Sequence, residues 1–118
     1  MLKLEFDRKE VEEAVDRIVR KTMKMDMVWD WPCGVAYYGI CEVYDLTKNE
    51  EYLKLLKDRV DELIELGLPT WTVNTCSMGH CLITLYEATK DQKYMDIIDS
   101  KVEYLRTKAL RFGDNVLQ

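Results

Sequence analysis

An internal repeat constrains this chain more than any other feature. The segment YDLTKNEEYLKLLKDRVDEL (44–63) matches YEATKDQKYMDIIDSKVEYL (86–105) at an offset of 42 residues. Tyr44, Thr47, Lys48, Tyr52, Val60 and Leu63 fall on Tyr86, Thr89, Lys90, Tyr94, Val102 and Leu105, while Leu53, Leu55 and Leu56 fall on Met95, Ile97 and Ile98. Tandem units of this length are stacked helical hairpins, because one hairpin cannot bury its apolar face alone.

Periodicity predicts helices over 8–25, 33–46, 50–66, 76–88 and 92–109, and no segment alternates like a strand, so the fold reads as all-α. Thr47 with Glu50, and Thr89 with Gln92, have the spacing of a capping box, with Asn49 and Asp91 as alternative caps. Gly67 followed by Pro69 reads as a helix stop. The helices are of two kinds. Segment 50–66 has nine charged residues in seventeen, with Leu53, Leu56, Val60, Leu63 and Ile64 making one apolar stripe, and 8–25 and 92–109 are similar. By contrast 33–46 has only Glu42 and Asp45, and 76–88 only Glu87. These two dry helices are expected to be buried. Alternation of wet and dry helices describes an inner ring wrapped by an outer one, or one layer of a solenoid.

The chain has 118 residues, 47% hydrophobic and 33% charged, which suits a single segment of globular protein. A net charge of −5 without a basic run offers no footprint for nucleic acid or for an anionic membrane. The charged N-terminus reads as neither signal peptide nor spanning helix, which points to the cytoplasm. The gaps between Cys33, Cys41, Cys76 and Cys81 are eight, thirty-five and five, with one His in the chain. That spacing does not suit zinc, so the cysteines read as reduced core thiols and neither a metal nor a cofactor is expected. Tyr37, Tyr38 and Tyr44 form a stripe at helical spacing, which reads as core. The six methionines read as gap fillers.

Successive hairpin helices are antiparallel, so both dry helices run the same way and the loops that feed them, 26–32 and 67–75, share one end. That end gathers Trp29, Asp30, Trp31 and Pro32 with Trp71, Asn74 and Thr75, beside helix N-termini that favour anions. Aromatic rings beside such backbone suit an acidic sugar.

The stretches WDWPCGVAYYGICEVYDLTKNEEYL and LPTWTVNTCSMGHCLITLYEATKDQKYM resemble the opening of glycoside hydrolase families 88 and 105, the unsaturated glucuronyl and rhamnogalacturonyl hydrolases. The most specific stretches are W-D-W-P-x-G-V-x-x-Y-G (29–39) and V-N-T leading into L-x-x-L-Y-E (73–87). The resemblance implies an (α/α)6 toroid of six hairpins, of which this chain is the N-terminal portion, about five helices in an incomplete barrel. It also implies a substrate: an oligosaccharide left by a polysaccharide lyase, whose terminal uronic acid carries a C4=C5 double bond. In the family an Asp protonates the vinyl ether and water adds, which is hydration and not paired-carboxylate displacement. By resemblance that Asp lies in a W-x-D-D segment beyond RFGDNVLQ (111–118), where Asp114 and Asn115 replace the more usual glycines. The chain is therefore expected to carry no catalytic residue and to be inactive alone. Some branches have an Asp-His pair where this chain has Asn74 and Thr75; an amide binds a hydroxyl but cannot act as an acid.

The binding candidates are Trp29, Asp30, Trp31, Asn74, Thr75 and His80, each with a structural alternative. Trp29 and Trp31 could stack on sugar or anchor the loop to the core, and Trp71 reads as packing. Asp30, just before Trp31-Pro32, suits a cap. His80 occupies the repeat slot of Tyr38, as a core histidine or a ligand contact. The competing reading is a non-enzymatic helical-repeat module that holds a partner protein. Either way, an open arc leaves apolar helix surface uncovered, which predicts a homo-oligomer.

Overall fold

Four of the helices open on a short polar side chain that accepts from the first turn. In the computed structural model, which describes residues 7–68, 73–113 and 116–117, the Asp7 carboxylate accepts from the Lys9 amide and starts α1 (Arg8–Lys24). Asp30 does the same for α2 (Trp31–Thr47), Asn49 for α3 (Glu50–Glu65) and Asp91 for α5 (Gln92–Thr107). α4 (Gly79–Thr89) instead continues from a 3-10 turn at Asn74–Met78. β1 (Arg111–Phe112) and β2 (Val116–Leu117) form a two-residue antiparallel pair, a small addition to the expected all-helical pattern, which Gly113 permits by turning at φ +44°.

The capping-box reading is corrected by these bonds. Thr47 and Thr89 still belong to the preceding helices, where their hydroxyls donate to the carbonyls of Val43 and Leu85. They also accept from the Asn49 and Asp91 amides at 3.2 Å. The alternative caps, Asn49 and Asp91, hold the next helices, because only two residues separate helix from helix. At both corners a lysine, Lys48 or Lys90, takes the left-handed conformation at φ 52° or 58°. Its ammonium lies over the ring of Tyr44 or Tyr86, at 5.3 and 5.4 Å.

α2 and α4 pack side by side as inner helices, and α1, α3 and α5 form the outer layer. The repeated tyrosines stitch that layer: Tyr52 on α3 donates to Asp16 on α1 at 2.7 Å, and Tyr94 on α5 donates to Asp61 on α3 at 2.6 Å. Tyr37, Ile40, Cys41, Leu56, Val60, Cys81, Leu82 and Leu85 fill the core between the layers. Cys33, Cys41, Cys76 and Cys81 are all free thiols, and three of them are buried.

The expectation that both dry helices are buried is corrected for α2. Its face at Trp31, Val35, Tyr38, Gly39 and Leu46 is exposed, Val35 to 63%. An apolar groove of 420 Å³ runs between α1 and α2 over Ile18, Val19, Val35, Gly39 and Ile40. A folded chain of this length has a radius of gyration of about 13.5 Å, whereas this one measures 16.9 Å. The hairpins form an open arc, with Trp31, Val35, Tyr38 and Leu46 of α2 exposed among the described residues. No helix among the described residues is long and apolar enough to cross a membrane.

Candidate functional site

Both inner helices start at the same end of the arc, and the residues there divide into an inner knot and an outer rim. Asp30 is extended, and its carboxylate accepts from the Trp31 amide at 2.7 Å. Its carbonyl accepts from the Gly34 amide and from the Ser77 hydroxyl at 3.3 Å. One residue therefore caps α2 and ties it to the 3-10 turn. The approach is close because Gly34 has no side chain: a Cβ there would stand 2.2 Å from Ser77 Oγ and 2.6 Å from Ser77 Cβ.

Trp29, 4% exposed, donates its indole N–H to the Thr75 carbonyl at 3.0 Å. Lys101 reaches the same place from α5. Its Nζ lies 3.4 Å from the Thr75 hydroxyl and 5.6 Å from the centre of the Trp29 ring. Burial pushes the Lys101 ammonium below the ordinary lysine range, with Cys76 acting in the opposite direction. The 42-residue repeat maps Lys101 onto Arg59, and Arg59 has the matching role in the preceding hairpin. Its guanidinium donates to the Met25 carbonyl at 3.2 Å and pairs with Glu62 at 2.6 Å.

The rim is what remains outside this knot. Trp31 is 54% exposed in the first turn of α2, and Asn74 is exposed at the start of the 3-10 turn. Thus residues expected in loops stand at helix starts, which fixes their backbones. On the other side, a depression of 560 Å³ opens between loop 26–30 and the end of α3, lined by Met27, Trp29, Arg59, Leu63, Gly67 and Thr75 among others.

Of the six candidates, the structure thus brings together Trp29, Asp30, Trp31, Asn74 and Thr75, with Trp29 and Thr75 buried. His80 stands apart. Its ring lies 4.5 Å from that of Tyr38, its own repeat partner, and Nε2 is 3.7 Å from Glu42 Oε1. Tyr38 is seven residues after Trp31, or about 10 Å further along α2. His80 is only half-buried, so it is not the enclosed core residue that its apolar neighbours suggested. Trp71 lies outside the described residues, as do Pro69, Asp114 and Asn115.

Sequence reasoning missed Gly34, Ser77, Arg59 and Lys101. Lys101 had a signal: it interrupts the apolar stripe Tyr94, Ile98, Leu105 at a buried position of the 3.6-residue period. Gly34 lay within a quoted motif, but its partner is 43 residues away in sequence.

Comparison with known proteins gives a consistent result. The model of Glycosyl Hydrolase Family 88 matches residues 6–118. The unsaturated rhamnogalacturonyl hydrolase YesR of Bacillus subtilis (strain 168) is 48% identical over 118 residues, covering 100% of this chain and 34% of that protein. A structure from Klebsiella pneumoniae, described as a possible member of the GH105 family, superposes with a TM-score of 0.87 at 18% identity. A similarly described structure from Salmonella enterica gives 0.86 at 17%. These cover 100% of this chain and 36% and 37% of theirs. At such identities they bear on the fold, which is the helical arc of a toroid. The chain spans about a third of the length of these relatives.

Proposed function

The chain belongs to Glycosyl Hydrolase Family 88, and from that premise we propose that it forms one wall of a sugar site in an unsaturated rhamnogalacturonyl-type hydrolase. The substrate is an oligosaccharide ending in a 4,5-unsaturated uronic acid. The observation that carries this reading is that an exposed Trp31 and an exposed Asn74 both flank the hydrogen-bonded knot at the common start of the two inner helices. The Trp31 ring offers a stacking platform and the Asn74 amide a donor and an acceptor for sugar hydroxyls. Asp30 supports by capping, while Trp29 and Thr75 hold the wall from behind.

The chemistry of this reading is acid-assisted hydration: a carboxylic acid protonates the vinyl ether, water adds, and the sugar opens and leaves. No residue of this chain is assigned as that acid. Asn74 cannot donate a proton in this way, and Asp30 is read as the cap of α2, its Oδ1 accepting from the Trp31 amide. The expected behaviour is weak binding without turnover. The experiment follows the ultraviolet absorbance of the C4=C5 bond in an unsaturated disaccharide incubated with the pure 118-residue chain. Its steady decay would overturn the assignment of catalysis to residues outside this chain.

The exposed apolar face of α2 and the cysteines support two further elements of the reading. The chain self-associates, with a second copy over Val35 and the α1–α2 groove. Four free thiols fit a reducing compartment, the cytoplasm.

A further inference from the structure

Arg59 and Lys101 occupy one slot of the repeat, on the buried face of successive outer helices, and each reaches the loop before an inner helix. Arg59 bonds the Met25 carbonyl. Lys101 meets Thr75 through its hydroxyl and Trp29 through its ring, so it touches both loops at once. Trp29 and Thr75 are already joined by the indole bond of 3.0 Å. The three residues are 4–5% exposed and form a closed triangle, in which Thr75 meets Trp29 through its backbone carbonyl and Lys101 through its hydroxyl. Trp31 and Asn74 adjoin Asp30 and Thr75 respectively in the chain, at the rim of this triangle.

We propose that Lys101 is a positioning residue for the sugar-contacting rim: by holding Thr75 and Trp29 in one register it sets where Asn74 and Trp31 stand. It touches no sugar itself. The proposal rests on the reading of this end as the sugar site, but only in its consequence for affinity. A buried ammonium is suited to this task. It bonds the hydroxyl and faces the ring with one group, and enclosure strengthens both contacts. Methionine would match its length and supply neither.

The test uses the whole 118-residue chain, labelled with ¹⁵N, as wild type, Lys101→Met, Lys101→Arg and the control Lys93→Met on the same helix. Two signals report the rim directly: the Trp31 indole N–H and the Asn74 side-chain amide. In Lys101→Met both are expected to move or broaden, in Lys101→Arg to return towards their wild-type positions, and in Lys93→Met to stay. Titration with an unsaturated galacturonyl-rhamnose disaccharide should then give an affinity about tenfold weaker for Lys101→Met, because a displaced rim must be reordered on binding, with recovery in Lys101→Arg. If Lys101→Met leaves both signals at their wild-type positions, the positioning role is wrong, whatever the disaccharide does. If wild type binds no disaccharide, the sugar reading fails, and the rim signals still decide the role of Lys101. Should Lys101→Met not fold, Lys101→Gln, which keeps a donor for Thr75 and loses the charge over Trp29, is read by the same two signals.

Discussion

Gly34 and Gly39 lie five residues apart on α2 and look alike in the sequence, yet their surroundings predict opposite responses to a methyl group. At Gly34 the new carbon would overlap Ser77, including its backbone carbon at 2.8 Å. Gly34→Ala is expected to cost about 1–3 kcal/mol through overpacking, with Ser77→Gly recovering some of the loss. At Gly39 nothing lies within 4 Å, so Gly39→Ala should stabilise by up to about 0.5–1 kcal/mol, the helix preference of alanine. Urea unfolding of the two variants gives both signs. The capping role of Asp30 was legible beforehand because a cap and its amide are neighbours in sequence. Asp30→Ala is expected to cost about 0.5–2 kcal/mol in the same assay.

Between elements, the repeated tyrosines carry a pH dependence. Burial first, then the bond to Asp16, pushes the Tyr52 hydroxyl up to about 12, from an ordinary value of 10.0. Tyr94 is raised further, by burial and by Asp61. Unfolded tyrosines ionise above about pH 10, so unfolding releases protons there and stability falls between pH 10 and 12. Replacing Tyr52 and Tyr94 by Phe should flatten this alkaline limb in denaturation midpoints measured against pH, while Tyr94→Phe alone costs about 1.5–3 kcal/mol at neutral pH. On the acid side, burial raises the Asp61 carboxyl, but bonds from Lys57, Tyr94 and Lys93 outweigh it and hold the group below its usual range. Its contribution is therefore complete above the unfolded value of 3.8 and lost as pH falls through the lowered one. The helices and their order were legible at this scale because their apolar stripes follow the 3.6-residue period. The choice of Asn49 over Thr47 as cap was not, because it depends on where the preceding helix ends. The knot of Trp29, Thr75 and Lys101 was hidden for a similar reason: its members come from three separate segments.

At the scale of the whole molecule, the self-association proposed for the exposed α2 face predicts behaviour in solution. Light scattering is expected to give a mass that rises with concentration, and Val35→Glu, on a residue 63% exposed, should lower it towards that of the monomer, with the unfolding midpoint unchanged at concentrations where both proteins are monomeric. Sequence pattern revealed that α2 and α4 are apolar nearly all round, but only assembly into an arc decides which side meets a neighbour. The corners of that arc carry a further implication. Lys48 and Lys90 hold a backbone conformation that costs a side-chain-bearing residue on the order of 1 kcal/mol and that glycine or asparagine adopts readily. At each corner that cost is set against the contact of the lysine ammonium with its tyrosine ring. Glycine would ease the backbone and give up the cation over the ring, so each joint holds its bend through a side chain and not through backbone preference.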